Sequence, residues 1–307
     1  MEVTRKEVYF NNTPLNLAVG RGFEAMIRYW GDYIPPERHA KTFITTCFAM
    51  SEYFKAFPPS TDDIQPFLHS DGKPAIEFTI ALPTEVRHPI TGDPILYSGR
   101  CDMLGTFPSP DASGRINVVG DDKTTKGIGP MWRRQWNMRG QFYGYTYAMN
   151  QGGIQCEHAL VRGISLQTTQ NKFASVVVPL PYWRQERWWY HTNLKIKQLA
   201  GKWDEMIRVR EELDNRIEPN AKPYERLLAL NTISHTIWPM SVGQACENYG
   251  GCTFKSLCTR KNPAMWYDDY DRGNWDPLAK NPTADSVNSL ANMRPIGLPQ
   301  AAKDLLG

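Results

Sequence analysis

The sequence predicts an α/β protein in which a central mixed β-sheet carries helices against it. Two observations lead there. Strand-like runs come as a meander of three and then, beyond a helix, as two more. Helical periodicities precede, interrupt and follow those runs, an order that suits a mixed sheet with flanking helices and not a doubly wound fold. After a polar N-terminal segment, Phe23, Met26, Ile27 and Trp30 recur at helical spacing and predict a helix over 18–31. Pro35-Pro36 ends that element, and a second helix is expected over 37–57, stopped by Pro58-Pro59. The meander strands are 75–82, 95–107 and 115–122, with a hairpin at Pro108–Gly114 joining the last two. A helix over 130–150, strands at 158–166 and 174–180, and a long helix over 184–214 follow. From 231 onward the chain reads as irregular, holding a cysteine cluster and a Pro/Asn/Asp-rich tail. The division expected is one domain to residue 260, with 261–307 as an extended tail.

Composition narrows the function only a little. With 41% hydrophobic and 22% charged residues among 307, the chain has the make-up of an ordinary globular protein. A net charge of +3 does not announce nucleic-acid binding, although a local groove can hold positive charge that the sum hides. No apolar run is long enough to span a bilayer, and the N-terminus lacks the apolar stretch of a signal peptide. A cytoplasmic location without a membrane partner is expected, with the cysteines as thiols or metal ligands.

The chemistry concentrates in Gly99-Arg100-Cys101-Asp102 and, beyond the hairpin, Asp121-Asp122-Lys123-Thr124. In a strand, residues two apart share a face, so Asp121 and Lys123 point one way and Asp122 the other. Asp102 belongs to the adjacent strand, so two carboxylates and an ammonium converge at one edge of the sheet. Hard oxygen ligands of this kind hold Mg²⁺ or Mn²⁺, and a neighbouring lysine stabilises developing charge, as phosphodiester hydrolysis requires. Taken alone, Asp121, Asp122, Lys123 and Lys126 also read as a solvated turn after a strand.

Together the two segments resemble motifs II and III of the PD-(D/E)xK nuclease superfamily in its RecB-like branch. That branch usually reads Gly-Arg-(Ile/Val)-Asp and Asp-Tyr-Lys-Thr, so the departures, Cys101 and Asp122, leave the ligand positions intact. The resemblance extends to Gln141 and Tyr145, which match a Gln-x-x-x-Tyr helix that follows the lysine strand. Spacing of four puts both on one helical face, while Gly140 and Gly144 allow close backbone approach. Upstream, Gly20-Arg21-Gly22-Phe23-Glu24 matches a Gly-x-x-x-His helix with Glu24 where His is common, which makes Glu24 a third metal-ligand candidate. His39 is an alternative on the next helix, and Glu77 resembles a commonly acidic family position. The resemblance covers residues 18–180 and implies a restriction-endonuclease-like core, with Asp102, Asp121, Lys123, Gln141 and Tyr145 catalytic and Glu24, Asp102 and Asp121 on the metal.

Cys246, Cys252 and Cys258 fall within thirteen residues. They stand where AddB-type and CRISPR-adaptation-type members of this branch place three ligands of a 4Fe–4S cluster, in a different spacing from the commoner one. In those members the fourth ligand lies near the N-terminus, so Cys47 is the candidate here, unless an upstream segment supplies it. Zinc, with His235 or His39 as fourth ligand, and thiols that bind nothing stay open as alternatives.

Arg100, Lys126, Arg133, Arg134 and Arg139 surround the motif residues as candidate phosphate contacts. Interleaved Trp132, Trp136 and Phe142 are candidate stacking platforms for a single-stranded end. The expected function is a Mg²⁺- or Mn²⁺-dependent DNA nuclease, an exonuclease in recombination, repair or phage DNA processing. The rivals are a non-catalytic DNA-binding or scaffold protein of the same fold, and a different metal-dependent hydrolase.

Overall fold

The computed structural model describes residues 1–35, 41–59, 61–111, 113–167, 170–217 and 221–237, with 252, 257–258, 268, 270 and 294–295. The chain divides into two compact units. The first comprises Met1–Leu82, Leu96–Tyr190 and Pro277–Gly307, and the second Pro83–Ile95 and His191–Asp276. The architecture is α/β, a mixed, curled sheet flanked by helices, in the order α1 (Glu2–Tyr9), α2 (Leu15–Trp30), α3 (Phe43–Ala56), β1 (Gln65–Leu68), β2 (Ile76–Arg87), β3 (Pro94–Pro108) and β4 (Arg115–Thr125). Then come α4 (Pro130–Arg134), a 3₁₀ turn (Gln135–Met138), α5 (Gly140–Gln151), β5 (His158–Ser165), β6 (Lys172–Pro179), α6 (Tyr182–Arg216), α7 (Pro223–Ile237) and β7 (Arg294–Pro295).

The strands lie in the order β6-β5-β4-β3-β1-β7, and β2 also pairs with β3. β3 and β4 are antiparallel through the Met103↔Gly120 pair. β4 and β5 are parallel, with Asp121↔Val161 and Asp122↔Arg162 in register. A parallel pair needs a crossover, and here α4, the 3₁₀ turn and α5 supply it. The first unit's core has layers on both sides of these strands. Val119, Val161 and Leu104 join Phe142, Ala148 and Met149 of α5, while Val118, Leu160 and Met103 pack with Ile64 and Ile76. A third cluster sets Tyr53, Phe54 and Met50 of α3 against Ile164 and Leu166. Burial on both faces explains why β5 runs buried for seven of its eight residues instead of alternating.

Most expected elements stand where the patterns put them, and four features differ. The polar N-terminal segment is the helix α1, whose buried residues are Thr4 and Arg5 and not an apolar stripe. β1, four residues long, carried no strand signal of its own. The helix expected over 130–150 is broken by the 3₁₀ turn, and Arg139, in extended conformation, restarts it. The segment read as irregular from 231 begins inside α7, which continues to Ile237. α3 starts at Phe43 behind a capping box in which the Thr42 and Thr45 side chains bond each other's backbone N–H groups at 3.2 and 2.9 Å.

Candidate active site

Asp102 and Asp121 sit one step beyond the Met103↔Gly120 pair on neighbouring antiparallel strands, so the meander itself brings the carboxylates together. Strand alternation then sorts the next residues. Lys123 returns to the Asp121 side, where its Nζ lies 3.0 Å from Asp121 Oδ1 and 2.7 Å from Oδ2. Asp122 faces the other way, toward α1 and α3. Asp121 is only 3% exposed, which excludes the solvated-turn reading of this segment.

α5 completes the cluster. Gln141 Nε2 donates to Asp121 Oδ1 at 3.0 Å and to the Tyr145 hydroxyl at 3.1 Å, one helical turn away. The Tyr145 hydroxyl donates in turn to the Arg100 carbonyl on β3. Two glycines permit this docking. A Cβ on Gly99 would come 2.8 Å from the Tyr145 ring, and one on Gly144 would come 2.2 Å from the Tyr97 hydroxyl. The glycine of the Gly-Arg-x-Asp segment therefore clears space for the tyrosine of the following helix. The backbone N–H of Asp122 donates to Asp102 Oδ2 at 3.1 Å, which ties the two strands at the acidic pair.

Electrostatics mark the pair as short of positive charge. Burial, then repulsion from Asp102, pushes the Asp121 carboxyl up to about 7 against the pull of Lys123. Burial also raises Asp102, opposed by the Asp122 N–H. Glu77 on β2 is raised too, by burial and then by the charge of Asp102, and its carboxylate lies 2.7 Å from Arg100 Nε. Its backbone is left-handed at φ +54°, a strained setting for a residue with a Cβ. A cleft of about 300 Å³ opens beside Glu77, lined also by Lys6, Phe10, His69, Lys73 and Phe78.

The residues present fit a small divalent cation. Asp121 Oδ2 is buried, with the Lys123 ammonium 2.7 Å away. Two hard carboxylates brought together on adjacent strands are a donor set that Mg²⁺ takes while keeping several waters. Among the described residues no three His, Cys, Asp or Glu side chains gather as a ready-made group, so Glu24 does not complete a triad with Asp102 and Asp121. It sits exposed on α2. Glu77, which the sequence ranked behind it, is the acid whose charge feels Asp102.

The candidate DNA contacts divide. Lys126, Arg133, Arg134 and Arg139 are exposed. Arg133 donates to the Ser175 carbonyl at 3.3 Å, and Arg139 lies over the Trp136 ring. Arg100 is engaged with Glu77 and, at 3.5 Å, with Glu2. Trp132, Trp136 and Phe142 are 5%, 6% and 0% exposed, so they are core residues and not stacking platforms. Their spacing at the helix start reflected the crossover packing onto the sheet. Cys47 is half-buried on α3, and Cys252 and Cys258 are exposed. Cys246, His39 and the His235 side chain lie outside the described residues.

Sequence reasoning missed Arg5 and Tyr53, which bond the Asp122 carboxylate, and Arg162, which bonds Tyr53 and pairs with Asp62. Arg5 Nη1 lies 2.6 Å from Asp122 Oδ2, and the Tyr53 hydroxyl donates to Oδ1 at 2.8 Å. Burial alone would raise the Asp122 carboxyl, but the Arg5 guanidinium overrides it and holds the group below the usual range. One signal was available. An aspartate on the inward side of a buried strand requires a buried cation somewhere in the chain.

Comparison with family models, with curated proteins and with solved structures finds no match to this chain. Among the described residues no helix is long and apolar enough to cross a membrane.

Proposed function

We propose that this chain is a Mg²⁺- or Mn²⁺-dependent deoxyribonuclease of the RecB-like PD-(D/E)xK type, with a restriction-endonuclease-like core, acting as an exonuclease on a DNA strand end. One observation carries the reading. Asp102 and Asp121 converge from adjacent strands, with Lys123 and Gln141 on Asp121. Asp102 and Asp121 would hold the cation, which supplies Lewis acidity at the scissile phosphate and a more acidic water. Gln141 holds the Asp121 carboxylate in orientation from α5, and Tyr145 ties that helix to β3. The Lys123 ammonium, half-exposed at the edge of the pair, meets charge developing on the phosphate. The exposed Lys126, Arg133, Arg134 and Arg139 are the phosphate contacts assigned to the flanking strand.

The test is cleavage of 5′- and 3′-labelled single- and double-stranded DNA with Mg²⁺, with Mn²⁺ and with EDTA. Metal-dependent release of short products from an end is expected. Binding without cleavage in every metal overturns the enzyme and leaves a DNA-binding protein. Cys246, Cys252 and Cys258, with Cys47, remain the proposed iron–sulfur ligands, and iron and zinc content of anaerobically purified protein decides among cluster, zinc and neither.

A further inference from the structure

The buried side of β4 holds more charge than stability calls for. Arg5 is 5% exposed, Arg162 3% and Tyr53 1%. Arg5 Nη2 donates to the Tyr53 hydroxyl at 2.6 Å, and that hydroxyl donates onward to Asp122 Oδ1 at 2.8 Å. Arg162, beside Asp122 in the parallel register, donates to the same hydroxyl at 3.3 Å and pairs with Asp62, Nη1 to Oδ2 at 2.7 Å. Three elements, α1, α3 and β5, are thereby linked to one aspartate of β4, the last through the Tyr53 hydroxyl. Taking so many charges out of water is costly, and well-packed apolar residues of similar volume commonly stabilise a core as well or better. What such a network adds is a defined geometry.

The geometry it defines belongs to the acidic pair. Asp122 stands between Asp121 and Lys123, and its own N–H holds Asp102 Oδ2 at 3.1 Å. The peptide that grips Asp102 is therefore anchored by its side chain from the opposite face of the sheet. We propose that Arg5 and Asp122 are positioning residues, a buried clamp that sets the orientation of β4 and so the separation of the Asp102 and Asp121 carboxylates. The clamp rests on the nuclease reading above, since the distance it sets matters for holding a cation. Release of the Asp122 side chain leaves the peptide free to tilt, which shifts Asp121 and Lys123 and loosens Asp102 together.

The experiment measures Mn²⁺ binding by calorimetry, melting temperature, cleavage of labelled DNA, and DNA affinity in EDTA. The proteins are the full-length parent, Arg5→Met, Asp122→Asn and the double variant. Each single variant leaves a buried group unpaired and loses stability. The double variant removes both charges and recovers most of the melting temperature. It nonetheless binds Mn²⁺ roughly tenfold or more weakly, the scale seen when groups supporting metal ligands are removed, with DNA affinity in EDTA unchanged. A folded double variant with the parent's Mn²⁺ affinity and cleavage rate overturns the clamp while the nuclease stands. Should the double variant not fold, Tyr53→Phe carries the same test, because it keeps every charge and removes the central hydroxyl. Weaker Mn²⁺ binding supports the clamp, and parental binding overturns it. A parent that neither binds Mn²⁺ nor cuts DNA overturns the nuclease reading itself, and the clamp with it.

Discussion

Asp121 and Asp122 are neighbours on β4 and both nearly closed to solvent, yet their surroundings differ in kind. Asp122 receives a guanidinium and a hydroxyl on its two oxygens and is held ionised. Asp121 meets a half-exposed lysine and a glutamine, and it faces a second carboxylate. Its carboxyl is pushed up to about 7, by burial first and then by Asp102. The fold compensates one aspartate with a buried guanidinium and leaves the next with a raised carboxyl beside Asp102.

The sharpest way to break this contrast is Asp122→Ala. It strands Arg5 in the core and should cost about 3–5 kcal/mol, as removing one partner of a buried pair does. Denaturant unfolding measures it, and a loss under about 1 kcal/mol would show that Asp122 is not structural. Next in size, Asp121→Ala and Lys123→Ala should each lower DNA cleavage by roughly a hundredfold or more, about 2.7 kcal/mol in the barrier. Their melting temperatures and DNA binding should hold near the parent's. Parental activity in Lys123→Ala would remove it from the chemistry.

The pH response separates the two aspartates by sign. A raised carboxyl contributes stability while protonated, fully below the ordinary range near 3.9, and loses it as pH rises through its folded value. For Asp121 that loss runs from the ordinary range up to about 7 in metal-free protein and is complete above it. Asp122, held low, contributes above the ordinary range and loses its contribution only as pH falls through its lowered value. Asp121→Asn should therefore raise the melting temperature at pH 8, on the order of 2–4 °C per kcal/mol recovered, and the gain should shrink toward pH 5. A gain independent of pH would place its cause elsewhere. The smallest effect is at the rim. Replacing Arg133, Arg134 and Arg139 with Ala should flatten the salt dependence of DNA binding by roughly 0.7–0.9 in log–log slope for each phosphate no longer neutralised. An unchanged slope would mean that these arginines face water alone.

Much of the site was legible in linear order because its central pieces are local to a meander and a crossover. Spacing of two on β4 separates Asp121 and Lys123 from Asp122, and spacing of four on α5 aligns Gln141 with Tyr145. A hairpin between Phe107 and Arg115 was enough to set Asp102 beside Asp121. The reading failed where partners come from far along the chain. Glu24 ranked ahead of Glu77 as a third acid, and only the packing leaves the first exposed on α2 and the second within reach of the Asp102 charge. Trp132 and Trp136 alternate with arginines in a way that resembles a stacking surface, yet the crossover turns both rings into the core.

Periodicity, turn residues and the acid–lysine spacing determined by themselves the α/β class, the main strands and the meeting of Asp102, Asp121 and Lys123 on neighbouring strands. These depend on chemistry within one element or between hairpin neighbours, where backbone geometry leaves few alternatives. The tertiary structure alone decided that the polar first helix buries Thr4 and Arg5, that Arg5 ends 2.6 Å from Asp122, and that Tyr53 bridges them to Arg162. The two arginine bonds to the Tyr53 hydroxyl join residues 48 and 109 positions apart, and no local spacing encodes them. They form because a carboxylate carried inward by strand alternation is tolerated only where the whole fold delivers a cation to it.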